Sequence, residues 1–195
     1  MTNKSNNALI LAAREGDLSG VQIALGQGAN VNARRKGGVS ALIEASQNGH
    51  SKIVRFLIDH HAQVDQMDYW GCTALISVSA FGHLEIAKML LNAGANVNAR
   101  GKTGVTAIIN ASSFNHMALS KFLVEKGALV DLPDKEGNTP LMCAARNGNL
   151  ALTQFLVDKG ANPKLISGNG FTAAKWAEFE GNLEVLSILK NSENH

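Results

Sequence analysis

The sequence lacks the long apolar runs that mark a secreted or membrane protein. Its N-terminal apolar run, Ala8–Ala13, is six residues long and ends at Arg14, too short for the core of a signal peptide. No later run approaches the roughly eighteen apolar residues that predict a membrane-spanning helix. We therefore expect a cytoplasmic protein with no membrane partner, and these features are also compatible with secretion as an effector.

Cysteine and net charge are also scarce. Cys72 and Cys143 lie far apart in the sequence, so a reducing compartment is the simplest interpretation. The 18 lysines and arginines nearly balance the 16 aspartates and glutamates, which leaves a net charge of +2. With 45% hydrophobic residues in a chain of 195, nothing suggests disorder, and we expect a single domain, 1–195.

What the sequence does contain is a unit repeated every 33 residues. Glycine recurs at that interval, at Gly38, Gly71, Gly104, Gly137 and Gly170. A hydroxyl residue follows two positions later in each copy, at Ser40, Thr73, Thr106, Thr139 and Thr172. A fixed period of this length indicates stacked repeats. We place them at about 5–37, 38–70, 71–103, 104–136, 137–169 and 170–190.

Each unit predicts two helices and a hairpin. Thr73 precedes an apolar run and suits an N-cap, and in a later copy Pro140 follows the capping residue, where proline favours a helix start. Gly82 ends this inner helix, and an outer helix follows and stops at Gly94. The chain then makes an extended excursion to the next capping residue. The fold class is therefore all-α.

The two end repeats differ from the others. Asn7 takes the capping position in the first, whose outer helix, 18–25, is weakly apolar. The sixth turns polar, as a C-terminal cap should. We expect frayed tails at 3–6 and 191–195.

The motifs G-x-T-A/P-L, G-H, I-x-x-L-L and G-A-N-V-N-A resemble the ankyrin repeat over about residues 5–190. The resemblance implies a solenoid of about six helix-turn-helix-hairpin units, the first and last acting as caps. It also implies a protein-binding module that is not an enzyme and has no cofactor. Contact positions in that family lie on the hairpin tips and the exposed side of the inner helices, which together form a concave surface.

The sequence departs from the family pattern at several positions. The histidine that usually follows the capping residue by three positions is replaced, and the replacements are Ile43, Ile76, Ile109, Met142 and Lys175. The hydrogen bond between repeats that this histidine makes should therefore be missing. His61 and Asn115 stand where other copies have glycine, and we expect both to adopt a positive φ with mild strain. Pro163 replaces a recurring valine.

Aromatic side chains give the clearest functional signal. Only ten occur in the chain, and four of them fall on variable positions that lead into or lie within the third and fourth repeats: Tyr69, Trp70, Phe81 and Phe114. With Val105 they predict a partner-binding site centred on these two repeats, because exposed aromatics are typical interface anchors. In the alternative interpretation they are structural, with Trp70 packed over its own hairpin and Phe81 on Phe114.

Basic residues at two hairpin tips give a second signal. They are Arg34, Arg35, Lys36, Arg100 and Lys102. They imply a partner protein with an acidic patch around an apolar anchor, although ordinary solvated loop charge explains them equally well. Nucleic acid is a weaker candidate, since Asp68, Asp134 and Glu136 interrupt the basic stripe.

No catalytic or metal-binding constellation emerges. Gly101-Lys102-Thr103 lacks the upstream glycine of a phosphate-binding loop. His50, His83 and His116 recur at the repeat period, one layer apart, so they cannot share a metal ion; we expect them to support the outer helices. The predicted function is therefore protein binding by a monomer. Open alternatives are an inhibitory subunit that blocks a partner's active or DNA-binding site, a bacterial effector that acts on host proteins, and an enzyme with a pocket of titratable groups.

Overall fold

The computed structural model describes residues 2–192 and divides into two compact units, Met1–Lys102 (unit 1) and Thr103–His195 (unit 2). The described residues form twelve helices and no β-strand, apart from an isolated antiparallel bridge between Arg34 and Ser40. The chain is thus an all-α repeat protein, as predicted.

Unit 1 contains three helix pairs. Its helices are α1 Thr2–Glu15, α2 Leu18–Gly26, α3 Ala41–Gln47, α4 Ser51–Asp59, α5 Ala74–Phe81 and α6 Leu84–Asn92. The inner helices α1, α3 and α5 pack side by side, and so do the outer helices α2, α4 and α6. The core between the two layers is aliphatic, with Leu42, Ile53 and Leu75 almost fully buried.

Unit 2 repeats this arrangement. Its helices are α7 Ala107–Ser113, α8 Met117–Glu125, α9 Pro140–Arg146, α10 Leu150–Asp158, α11 Ala173–Phe179 and α12 Leu183–Ser192. The inner helices α7, α9 and α11 form one layer, and the outer helices α8, α10 and α12 form the other.

The predicted helix starts and stops are confirmed. A side-chain hydroxyl accepts the backbone N–H three residues later, at 3.2–3.3 Å, at each predicted cap: Ser40, Thr73, Thr106, Thr139 and Thr172. Pro140 is the first residue of α9, and Gly82 ends α5 with a φ of 73°. His61 and Asn115 adopt the predicted positive φ, at 64° and 58°.

The predicted start of the first helix was wrong. Helix α1 begins at Thr2, so Asn7 lies inside it and not at its N-cap, and residues 3–6 are helical, not a frayed tail. No glycine or proline interrupts this segment, so the helix extends through it. The Asn6 side chain accepts the N–H of Asn30 at 2.8 Å and ties α1 to the first hairpin. Of the predicted C-terminal tail, 191 and 192 end α12, and 193–195 lie outside the described residues.

Polar links between repeats persist without the family's histidine. Ile43, Ile76, Ile109 and Met142 are buried where that histidine would stand. Asn and Asp side chains make the links instead, since Asn32 accepts the N–H of Gln63 and Asp65 accepts that of Asn96. The recurring histidines stand at the N-caps of outer helices, but the ring of His50, at the N-cap of α4, makes no capping hydrogen bond. Its Nε2 instead forms a 3.0 Å hydrogen bond with the carbonyl oxygen of Arg14 in the preceding repeat.

Candidate binding site

The hairpin tip at 68–72 in unit 1 presents two aromatic rings on a fixed backbone. The carboxylate of Asp68 accepts the N–H groups of Trp70 and Cys72 at 2.9 and 2.8 Å. The Tyr69 N–H donates to the Gly37 carbonyl at 2.8 Å, which joins this tip to the preceding one. Tyr69 and Trp70 are nevertheless 60% and 63% exposed. We call these two residues the aromatic tip.

Neighbouring groups hold the two rings in place without covering them. A Cβ atom at Gly37 would lie 3.6 Å from the Trp70 ring, so the indole lies beside the preceding tip. The Arg34 guanidinium lies over the Tyr69 ring, 5.6 Å from its centroid. Because both rings keep one open side, they are available for contact and their freedom of movement is already reduced.

Phe81 is the third predicted aromatic of unit 1. It is the last residue of α5 and is 50% exposed. Its ring stacks on that of His83, with 6.2 Å between the centroids. Phe81 therefore exposes half of its surface from an inner helix.

The predicted residues of unit 2 lie at a groove. Phe114, 58% exposed, and the half-buried Val105 both line a cavity of about 340 Å³ between the hairpin tips and inner helices of this unit. Phe114 also stacks on His116, at 6.5 Å between centroids. Phe114 thus stacks on the histidine two residues later, as Phe81 does in unit 1.

The basic residues divide into two groups. The Arg34 side chain donates to the carbonyl oxygens of Gly38 and Met67 at 2.9 and 2.6 Å, which fixes two successive tips. Arg35 forms an ion pair with Glu44, whose side chain is only 5% exposed. All five of these residues are exposed to solvent, including Lys36, Arg100 and Lys102. The first two arginines therefore have structural partners that the sequence interpretation did not foresee.

A polar and aromatic cluster in unit 2 was missed. The Arg146 guanidinium lies 4.5 Å above the Trp176 ring, and its Nε donates to Glu180 at 3.2 Å. Phe171 packs edge-on against Trp176 at 4.8 Å between centroids. The available signal was Trp176 itself, an aromatic at an inner-helix position where the other repeats carry none: Leu11, Glu44, Ser77, Asn110 and Cys143.

Burial is the main influence on the pKa of both cysteine thiols. Burial raises the pKa of the Cys72 thiol, and the nearby carboxylate of Asp68 raises it further. Burial likewise raises the pKa of Cys143. Both side chains are free thiols, and at neutral pH they remain protonated.

Residues 2–192 hold neither a metal-binding cluster nor a membrane-spanning helix. No three histidine, cysteine, aspartate or glutamate side chains in this range are grouped closely enough to hold a metal ion. None of its helices combines the length and the apolar character needed to cross a bilayer.

Comparison with known proteins identifies a family. The family described as ankyrin repeats in three copies matches residues 9–101, 97–167 and 134–195, nearly the whole sequence. The search of curated proteins finds no match. Ankyrin repeats are generally modules of protein–protein interaction. The helix pairs, the capping hydroxyls and this match agree: the chain belongs to the ankyrin-repeat family.

Proposed function

We propose that this protein binds another protein through exposed side chains of its hairpin tips and inner helices. In unit 1 the contacts come from the aromatic tip and Phe81. In unit 2 they come from Phe114 and Val105. The observation that carries the proposal is the exposure of Tyr69 and Trp70 on a backbone that hydrogen bonds hold in place.

The energetics favour an interface over a purely structural role for these rings. An aromatic side chain buries about 150–250 Å² when it is covered completely, and each partner in a standard interface loses about 800 Å². Tyr69 and Trp70 keep more than half of their surface in water. A partner that covers them removes apolar surface from water, which lowers the free energy of binding. Because the tip is already ordered, binding costs little further conformational entropy.

The exposed cations supply the second element of the proposal. Lys102 lies in the hairpin tip that follows the aromatic tip, and its N–H donates to the Trp70 carbonyl at 2.7 Å. Lys36 lies in the tip that precedes it. Positive charges near an apolar anchor favour a partner with an acidic patch and speed its association, an effect that salt weakens.

We also propose that the protein acts by binding and not by catalysis, and that it needs no cofactor. A cysteine nucleophile requires the thiolate form, and the raised pKa values of Cys72 and Cys143 favour the unreactive thiol. The sequence motif at Gly101-Lys102-Thr103 lies in a hairpin tip and not between a strand and a helix, as a phosphate-binding loop requires.

Affinity capture from a lysate of the source organism tests the proposal. The full chain and its Trp70→Ala/Phe81→Ala variant serve as parallel baits. A matched control, Ile166→Ala/Leu183→Ala, removes two residues that are 65% and 72% exposed elsewhere in the protein. We expect a protein that the wild type and the control retain and the aromatic variant loses. Equal recovery by all three baits would contradict the proposed surface.

A further inference from the structure

The groove in unit 2 combines an apolar interior with a polar rim. Its most buried lining residues are Ile109 and Met142, and Val105 lies beside them. Asp134 and Arg146 line it as well. Its volume of about 340 Å³ falls within the range of about 300–1,000 Å³ typical of binding clefts. It is therefore large enough to accept a side chain from another molecule.

Among the residues that line this groove and the adjoining cavity, the charged side chains without an ion-pair partner are negative. Arg146 is paired with Glu180 at 3.2 Å. Asp134 lines the groove and Glu136 lines an adjoining cavity of about 330 Å³, and neither takes part in an ion pair among residues 2–192. The local field thus favours a positively charged guest.

Cys143 also lines the groove, and nearby charges affect the pKa of its thiol. Beyond the effect of burial and a hydrogen bond with Ser113, the Asp134 carboxylate raises the pKa of this thiol more strongly than the Arg146 guanidinium lowers it. This direction agrees with the negative charge that the pairing of Arg146 with Glu180 leaves at the groove.

The Asp134 carboxylate has capacity for another donor. Its Oδ1 accepts the N–H groups of Glu136 and Asn138 at 2.9 and 2.8 Å, which shapes the hairpin tip. Its Oδ2 accepts only the Asn138 side-chain amide, at 3.2 Å. A carboxylate oxygen has two acceptor sites, so Oδ2 can accept a hydrogen bond from a guest ammonium or guanidinium group.

We propose that the unit 2 groove receives a lysine or arginine side chain of a protein partner. The aliphatic stem packs against Val105 and Met142, and the charged head reaches the carboxylates of Asp134 and Glu136. Lysine and arginine combine an apolar stem with a charged end, which matches the apolar interior and acidic rim of the groove. This inference rests on the proposed protein-binding function and adds the chemistry of one contact.

Methyl-resolved NMR of the full chain tests the proposal with defined probes. The probes are the acetylated and amidated tripeptide leucyl-arginyl-leucine and its counterparts with glutamate or glutamine in the centre. We expect the arginyl peptide to shift the methyl signals of Val105 and Ile109 in a saturable way. It should bind about tenfold or more tightly than the glutamyl peptide.

Two variants test whether the preference for the arginyl peptide depends on the carboxylates at the groove. Asp134→Asn/Glu136→Gln removes both charges and keeps an oxygen that can shape the tip, and it should abolish the preference for arginine. Glu125→Gln/Asp158→Asn is the matched control, because it removes two charges from exposed positions at the ends of the outer helices α8 and α10, away from the groove. It should leave the preference intact.

Three results would overturn the proposal: tighter binding of the glutamyl peptide, equal binding of all three peptides, or no shift at the groove. Tighter glutamyl binding would instead assign the groove to an acidic guest through Arg146. Any of these results leaves the affinity capture with the Trp70 variant unaffected, so the two proposals fail separately.

Discussion

Units 1 and 2 are built on the same repeat but expose different side chains. Both start their inner helices at capping hydroxyls, such as Thr73 and Thr139. Unit 1 carries its tryptophan, Trp70, on a hairpin tip, where it is 63% exposed. Unit 2 carries Trp176 on an inner helix, beneath Arg146. The positions that recur in every repeat determine the helix pairs. The positions that vary between repeats determine which side chains each unit exposes.

Ion pairs show the same contrast. In unit 1, Arg35 pairs with Glu44, whose side chain is 5% exposed. In unit 2, Arg146 pairs with Glu180, whose side chain is 36% exposed. Water can replace a lost partner at the second pair far more easily than at the first.

The largest effect on stability is therefore expected from Arg35→Ala. It leaves the buried Glu44 carboxylate without its partner and should lower the free energy of unfolding by about 2–4 kcal/mol. Arg146→Ala, which removes an exposed pair and a cation–π contact, should cost only about 1 kcal/mol.

Urea unfolding with tryptophan fluorescence measures both changes. The chain has two tryptophans, Trp70 in unit 1 and Trp176 in unit 2, so single-tryptophan variants report on each unit. Glu44→Gln is the control for Arg35→Ala, because it removes the charge along with its need for a cation. Equal losses for Arg35→Ala and Arg146→Ala would refute the contrast between the two pairs.

The next largest effect on the free energy of unfolding is expected at buried hydroxyl groups. Ser112 and Ser120 of unit 2 are fully buried, and their oxygens have no hydrogen-bond partner among the described residues. In unit 1, Ser79 stands at the position that corresponds to Ser112, one repeat period earlier. Its hydroxyl donates a hydrogen bond to the Leu75 carbonyl at 2.7 Å. Ser112→Ala/Ser120→Ala should therefore raise the free energy of unfolding by about 1–2 kcal/mol, since each unpaired hydroxyl costs free energy when buried.

Thermal unfolding by circular dichroism compares this variant with Ser79→Ala. We expect the unit 2 variant to melt above the wild type and Ser79→Ala to melt at or below it. A lower melting temperature for Ser112→Ala/Ser120→Ala would show that the two hydroxyls have partners after all.

The sequence predicts the features that depend on local geometry. The capping hydroxyls and the positive φ of His61 and Asn115 follow from their place in the repeat, and all are confirmed. The wrong start of α1 has a local cause too, because the residues before Asn7 include no glycine or proline that would end the helix there.

Features that depend on distant partners were not predictable. Arg34 reaches the Met67 carbonyl of the next repeat, and Arg35 reaches Glu44 on an inner helix. The groove in unit 2 and the position of Trp176 depend in the same way on how neighbouring repeats pack. A repeat pattern identifies which positions vary, but the pairing between them requires coordinates.

A smaller effect is expected at the two positive-φ residues. His61→Gly should stabilise the protein by up to about 1 kcal/mol, because glycine adopts a φ of 64° without strain. Asn115→Gly should gain less, because Asn tolerates this conformation better and its side chain accepts a hydrogen bond from Asn149. Chemical denaturation measures the free energy of unfolding of both variants. A larger increase for Asn115→Gly than for His61→Gly would contradict this account.

The most direct test of the central claim is the affinity of the captured partner for the Trp70→Ala/Phe81→Ala variant, measured beside its melting temperature. If the exposed rings of unit 1 form the binding surface, affinity falls by roughly 2–4 kcal/mol and the melting temperature stays within about 2 °C of the wild type. Unchanged affinity with a large fall in melting temperature would show that these rings stabilise the fold and do not bind the partner.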